Sequence, residues 1–307
     1  MRIIFMGTPS FAVPTLKKLH ESGFTIPAVI TATDKMGGRG KKELLQSAVK
    51  ETAFKLNIPV FQPVNLKNES FINEIKQLKP DLFVVVAFRM LPEVLWSLPP
   101  FGTINLHASL LPDYRGAAPI NWAIINGETV TGLTTFFIRR DIDTGPLIKS
   151  ISISILPTDD AGTLHDKLMH LGADLVLDSL KEIMNPSFLS IPQSLTSSKI
   201  APKLNYETGK IDVSKTTKEI IQLIRGLSPY PCAWLKTNLG DIKIISATPG
   251  QADKDLFNGN RIISDHKSYI YLKTKDSYIS LDYFQVPGKK PLKVEAYLNG
   301  NKIDKWF

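Results

Sequence analysis

The chain has 307 residues, about twice the common domain size, so two domains are expected. Apolar residues make up 43% and charged residues 21%, an ordinary globular composition that excludes a disordered chain. Lys and Arg number 37 against 29 Asp and Glu; the surplus of +8 leans toward an anionic partner without naming one. The one cysteine, Cys232, excludes an intrachain disulfide framework and points to a cytoplasmic chain. The longest clean apolar run, Leu82 to Phe88, is seven residues, where a spanning helix needs about twenty, so no membrane association is expected. The apolar start, Ile3 to Met6, stops at Gly7, unlike a signal peptide.

In chain order, Arg2 to Met6 reads as a short buried strand closed by the turn Gly7-Thr8-Pro9-Ser10. That turn lacks the later glycines of a dinucleotide fingerprint. A helix follows from about Ser10, with Phe11, Val13, Leu16 and Leu19 inward and Gly23 past its end. Ile26 to Ala32 predicts a second strand. Asp34 to Lys42 holds three glycines and the basic residues Lys35, Arg39, Lys41 and Lys42, and predicts an exposed loop without regular structure. Leu44 to Leu56 and Phe71 to Leu78 predict helices, with a short strand at Val60 and Phe61 between them. Asp81 to Phe88 is apolar on both sides of the pleat, as a central parallel strand covered by helices would be.

Strands alternating with helices imply an α/β fold, a doubly wound and mostly parallel sheet. Ligands of such sheets sit outside the carboxyl ends of the strands. Thr134 to Ile138 and Leu147 to Ile155 are strand-like around the turn Asp141 to Gly145, and Leu164, Leu168, Leu171 and Leu175 mark a helix. Asn185 to Leu204 contains Pro186, Pro192, Pro202 and five serines. The expected organisation is therefore a domain over 1–185, a linker over 186–204 and a domain over 205–307. The last part opens with a helix, Ser214 to Arg225, and continues in short strands at 233–236, 242–245, 269–273 and 278–284. Turns at Gly240-Asp241, Asn258-Gly259-Asn260 and Asn299-Gly300-Asn301 punctuate them, which suggests a small OB-like β-barrel. Residues 205–307 carry 16 basic and 11 acidic residues, so the positive excess is denser here.

The most informative stretch is Phe101 to Tyr114. Strand alternation puts Ile104, Leu106 and Ala108 on one face and Asn105, His107 and Ser109 on the other. Three polar side chains on a buried strand are costly unless they satisfy each other or face a ligand. A lone histidine is more often a core residue tied to a neighbour. Here the row is followed by Pro112 and by Arg115-Gly116-Ala117-Ala118-Pro119, which favours a site. Asp143, in Asp141-Ile142-Asp143-Thr144-Gly145, has the plainer reading of a turn-forming residue.

Asn105-Leu-His107-Ala-Ser109-Leu-Leu-Pro112, then Tyr114-Arg-Gly-Ala-Ala-Pro119, then Asp143-Thr-Gly145 resembles the folate-dependent formyltransferases. The fuller set is similar to the branch of that family that formylates methionyl-tRNA. It adds Ile3 to Pro9, Gly38-Arg-Gly-Lys-Lys42, Phe61-Gln-Pro63, Arg225 to Pro231 and Ala233-Trp234. The resemblance implies transfer of the formyl group of 10-formyltetrahydrofolate to the α-amine of methionine on initiator methionyl-tRNA. It implies Asn105, His107 and Asp143 as catalytic residues, without a metal. Asn105 would donate to the developing oxyanion, His107 would donate and shuttle a proton, and Asp143 would orient the imidazole.

Ser109, Leu110, Leu111 and Pro112 resemble the segment contacting the folate, with Phe88 and Arg89 expected to line the same pocket. The commoner family pattern has glycine at position 89, so Arg89 is left between a contact to the folate tail and a cap on the strand. Lys35, Arg39, Lys41 and Lys42 would, by resemblance, contact the tRNA acceptor stem. A monomer is expected. Two other readings compete: a formyltransferase acting on a small amine such as an amino sugar nucleotide, and a non-catalytic RNA-binding protein.

Overall fold

A computed structural model describes residues 1–37, 43–194, 196–197, 199–250, 261–304 and 306. The strands are β1 (Arg2–Gly7), β2 (Thr25–Ile30), β3 (Lys35–Gly37), β4 (Glu43–Leu45), β5 (Val60–Phe61), β6 (Leu82–Val86), β7 (Thr103–His107), β8 (Arg115–Gly116) and β9 (Val130–Phe137). They continue with β10 (Leu147–Ser154), β11 (Ile200–Ala201), β12 (Ala233–Thr237), β13 (Gly240–Pro249), β14 (Ile262–Ser264), β15 (Ile270–Lys273), β16 (Tyr278–Gln285) and β17 (Leu292–Lys293). The helices are α1 (Val13–Glu21), α2 (Ala48–Lys55), α3 (Glu69–Gln77), α4 (Glu93–Trp96), α5 (Pro119–Ile125), α6 (Ala161–Ile183), α7 (Thr217–Leu227) and α8 (Val294–Leu298). The chain forms two compact units. The first gathers Met1–Gly116, Thr131–Ile153 and His165–Ile200; the second gathers Ala117–Val130, Ser154–Leu164 and Ala201–Phe307.

The first unit is built on a seven-stranded sheet in the order β10-β9-β7-β6-β1-β2-β5. Neighbours from β7 to β5 run parallel, and β9 enters antiparallel to β7. β6 lies at the middle and every one of its residues is buried, as its two-sided apolar sequence requires. Ile4, Met6, Ile30, Phe83 and Val85 pack with Phe71, Ile72 and Ile75 of α3 and Leu95 of α4. On another helix, α6, a Cβ at Gly172 would stand 2.6 Å from Leu106 Cδ2, so this glycine lets the helix close onto β7. The doubly wound, mostly parallel sheet is thus present, with β7 one strand from the centre.

Two local expectations are corrected. Asp34 to Lys42 is not irregular throughout. Lys35 pairs with Leu45, Met36 with Leu44 and Gly37 with Glu43 in a two-stranded antiparallel ribbon. The helix expected from Leu44 begins at Ala48, because Ser47 takes the N-cap and its Oγ accepts from Lys50 N at 3.0 Å. Leu44 and Leu45, which fitted the helical period, are exposed in the ribbon. Arg39, Lys41, Lys42 and the turn at 258–260 lie outside the described residues.

The short strands expected for the C-terminal part are present in the second unit as an antiparallel sheet in the order β12-β13-β16-β15-β14, with β17 on β16. Ile220, Ile224 and Leu227 of α7 pack in one core with Ile242, Ile244, Leu281, Phe284 and Trp306. α7 starts with a capping box: Thr216 Oγ1 accepts from Glu219 N, and the Glu219 carboxylate accepts from Thr216 N. Segments from early in the chain complete the same unit. Asn121 Nδ2 of α5 donates to Gly226 O at 2.7 Å, and Ile125 packs against the core. A Cβ at Gly226 would stand 2.5 Å from Ile125 Cγ1. Arg225 donates to the carbonyls of Asp159 and Leu156.

Two outcomes follow. Thr216→Ala removes one arm of the capping box and is expected to cost about 1 kcal/mol, read as a lower chaotrope midpoint with unchanged slope. A chain ended at Leu204 uncovers the α5 face that packs on α7, and is expected to aggregate or bind a hydrophobic dye where the full chain does not.

Candidate active site

The chemistry-bearing residues gather at the carboxyl end of β7. Asn105 lies between Val85 of β6 and Phe136 of β9, and His107, the last residue of the strand, stands opposite Thr134. Asn105 is half-buried while Leu106 is buried. Among the described residues no hydrogen bond engages the Asn105 side chain, so its amide is free to meet a ligand.

His107 is 6% exposed, and such a ring cannot leave its nitrogens unsatisfied without cost. Nε2 lies 2.9 Å from Tyr114 O. A carbonyl only accepts, so Nε2 carries a proton there. Nδ1 therefore faces the carboxylate of Asp143, at 3.7 Å from Oδ2. That distance is long for a direct hydrogen bond and suits a charge–charge contact once the ring is protonated. Tyr114 presents its carbonyl from a left-handed backbone, φ 60°, and its own N–H donates to Lys199 O at 2.8 Å.

The loop after β9 brings Asp143 in. Its φ is 54°, a conformation that Asp tolerates better than most side chains. Oδ2 accepts from Gly116 N at 3.0 Å, which aims the carboxylate. Arg115 Nε donates to Asp143 O at 2.9 Å, and Gln193 Nε2 donates to Asp143 O at 3.1 Å and Gly145 O at 2.6 Å. Arg115 in turn holds Gln193 Oε1 and Ser194 O. Gly145 is required by space: a Cβ there would lie 1.6 Å from Phe137 O. The Asp-Thr-Gly motif is thus a carboxylate on a strained turn followed by the one residue that fits against β9.

Ser109 is corrected. β7 ends at His107, so Ser109 does not continue the Asn105 and His107 face; it is fully buried and its Oγ donates to Asp113 O at 2.6 Å. Its work is to close the turn that carries Leu110, Leu111 and Pro112. Thr134 Oγ1 secures that turn from β9, donating to Ser109 O at 2.7 Å and accepting from Leu111 N at 3.1 Å. A Cβ at Gly132 would lie 2.5 Å from Leu110 Cδ2, so this glycine lets Leu110 lie on the strand. Sequence reasoning missed Thr134 and Gln193. Two adjacent threonines inside the apolar run of β9 were the available signal for the first; the second stood in a presumed linker.

Phe88 and Arg89 follow β6, the neighbour of β7. Arg89 donates to Val64 O at 2.9 Å and to Pro63 O, with its guanidinium 5.8 Å from the Phe88 ring centre. It ties the loop after β6 to the loop after β5. Lys35 is exposed on β3, in the ribbon rather than in this cluster. Among the described residues no group of three or more His, Cys, Asp and Glu is placed to hold a metal ion, and no helix is long and apolar enough to cross a membrane.

A family model described as formyl transferase matches residues 1–180, and one described as formyl transferase, C-terminal domain, matches residues 203–302. A methionyl-tRNA formyltransferase of Flavobacterium johnsoniae is 50% identical over 98% of this chain and 96% of its own length. One of Parabacteroides distasonis is 46% identical over 98% of this chain and 96% of its own. Among solved structures, the N-formyltransferase of Helicobacter canadensis, in complex with folinic acid and dTDP-3-aminofucose, aligns with TM-score 0.68 at 23% identity, covering 91% of this chain and 98% of that one; at that identity the likeness speaks for the fold. With both family models matched in order and half of all residues shared end to end with a curated relative, the chain belongs to the formyl transferase family.

Proposed function

We propose that the chain transfers the formyl group of 10-formyltetrahydrofolate to the α-amine of methionine esterified to initiator tRNA, in the cytoplasm, for translation initiation. The observation that carries this reading is identity of 50% and 46% over nearly the whole length of two methionyl-tRNA formyltransferases. The likeness to an amino-sugar enzyme stays at 23%.

Asn105, whose amide has no hydrogen-bond partner among the described residues, donates to the oxygen that gains charge as the amine adds to the formyl carbon. One such donor is worth about 10²–10³ in rate. His107 holds its proton at Nε2 on the Tyr114 carbonyl and works through Nδ1. There it accepts the proton that the attacking amine sheds, and Asp143 stabilises the resulting imidazolium. The proton then passes to the departing nitrogen of the folate.

Leu110, Leu111 and Pro112 offer the folate an apolar edge beside these groups, on a turn whose backbone Ser109 and Thr134 fix. Phe88 and Arg89 border the same end of the sheet. A flat heterocycle with a polar rim fits such a mixture of apolar side chains and backbone groups. Lys35, Arg39, Lys41 and Lys42 supply cations for the acceptor stem, and the basic C-terminal part adds sequence-independent attraction to phosphate.

The deciding assay offers methionyl-tRNA beside an amino sugar nucleotide, with 10-formyltetrahydrofolate as donor. Product is expected on the tRNA; formylation of the sugar alone would overturn the reading. Asn105→Ala and His107→Ala are each expected to lower kcat about 10²-fold or more with the melting temperature little changed. Gly145→Ala displaces the Asp143 turn, and is expected to lose both activity and thermal stability.

A further inference from the structure

The β3–β4 ribbon poses a physical problem that its own residues do not solve. Among the described residues it is a sheet of two short strands paired to no third, and such a ribbon is marginal in water. Met36, Leu44 and Leu45 are each more than half exposed, so no apolar face of the described residues holds it down. Order must come from its two feet, the chain leaving β2 and the chain entering α2.

Both feet are tied by one partly buried polar cluster. Asp34, on the first foot, receives Lys50 Nζ of α2 at 2.5 Å on Oδ2 and Gln62 Nε2 at 2.7 Å on Oδ1. Gln62 also donates to Ala32 O at 2.6 Å, clamping the same foot from the end of β5. On the second foot, Ser47 shares a hydroxyl hydrogen bond of 2.7 Å with Thr31, at the end of β2, while it caps α2. Lys50 is 8% exposed and Thr31 is fully buried. A lysine this buried is retained only with a partner, and removing one side strands the other. The Lys50 ammonium, then the Gln62 amide, hold the Asp34 carboxyl below the usual carboxylate range, so the carboxylate is charged at neutral pH.

We infer that Asp34, Lys50 and Gln62 are positioning residues that fix both feet of the ribbon, so that Lys35 is presented to the tRNA acceptor; this rests on the tRNA reading above. The cluster touches neither His107 nor Asp143, and it acts on the larger substrate alone. It also gives Gln62, in the Phe61-Gln62-Pro63 motif, a physical task.

The test uses the full chain with Lys50→Met, Asp34→Asn and Gln62→Ala. Each is expected to raise KM for methionyl-tRNA about tenfold, the loss of one charge-assisted hydrogen bond, with kcat and the KM for folate within about twofold. Asp34→Asn added to Lys50→Met is expected to add little, since both cut one interaction. Backbone amide exchange over Lys35–Gly37 and Glu43–Leu45 is expected to quicken in all three. Unchanged exchange, or parallel rises in the KM of tRNA and folate, would overturn the assignment as a merely structural effect. A wild-type chain inactive on methionyl-tRNA overturns the acceptor reading instead, and the exchange measurement still decides whether the cluster holds the ribbon.

Discussion

A buried imidazole has two nitrogens and each must meet a partner, and the carboxyl end of β7 is arranged around that demand. The Tyr114 carbonyl takes one side of His107 and the Asp143 carboxylate faces the other. Neither partner comes from the strand that carries the histidine. Tyr114 arrives through the turn after β7 and is anchored by Lys199, while Asp143 arrives from beyond β9 and is aimed by Gly116 N. Three separate stretches of chain therefore converge on one ring, and the orientation of its working nitrogen follows from which of them supplies a carbonyl.

The cost of that convergence is carried by backbone. Tyr114 and Asp143 both sit at positive φ, where a non-glycine residue stores strain that its surroundings must hold. Arg115 and Gln193 form the holding net, donating to carbonyls of the Asp143 turn, and Arg115 also donates to Gln193 Oε1 and to Ser194 O. Gly132 and Gly145 do the complementary work, leaving space where a side chain would collide with Leu110 or with the β9 backbone. Rigid placement of Asn105, His107 and Asp143 comes from this surrounding net as much as from the sheet.

The same logic separates the two substrates. The turn carrying Leu110, Leu111 and Pro112, proposed for the folate, rests on elements fixed by the sheet and by Thr134, while the ribbon bearing Lys35 is tied through the Asp34, Lys50 and Gln62 cluster. The second unit solves a different problem. Its antiparallel sheet cannot cover α7 by itself, and α5, from much earlier in the chain, packs against that helix through Gly226.

The sequence by itself determined the α/β alternation, the central strand within 81–88 and the short strands of the C-terminal part, because periodicity is a local property of the chain; Asn105, His107 and Asp143 were singled out together by the family resemblance. It misread Ser109, since alternation does not announce where a strand stops. It also misread Leu44 and Leu45, whose helical spacing was overruled by cross-strand pairing with Lys35 and Met36. Only the tertiary structure decided the roles of Thr134, Gln193 and Lys50. Each acts through a hydrogen bond to a residue distant in sequence, and no pattern along the chain encodes which carbonyl or carboxylate will stand within reach once it has folded.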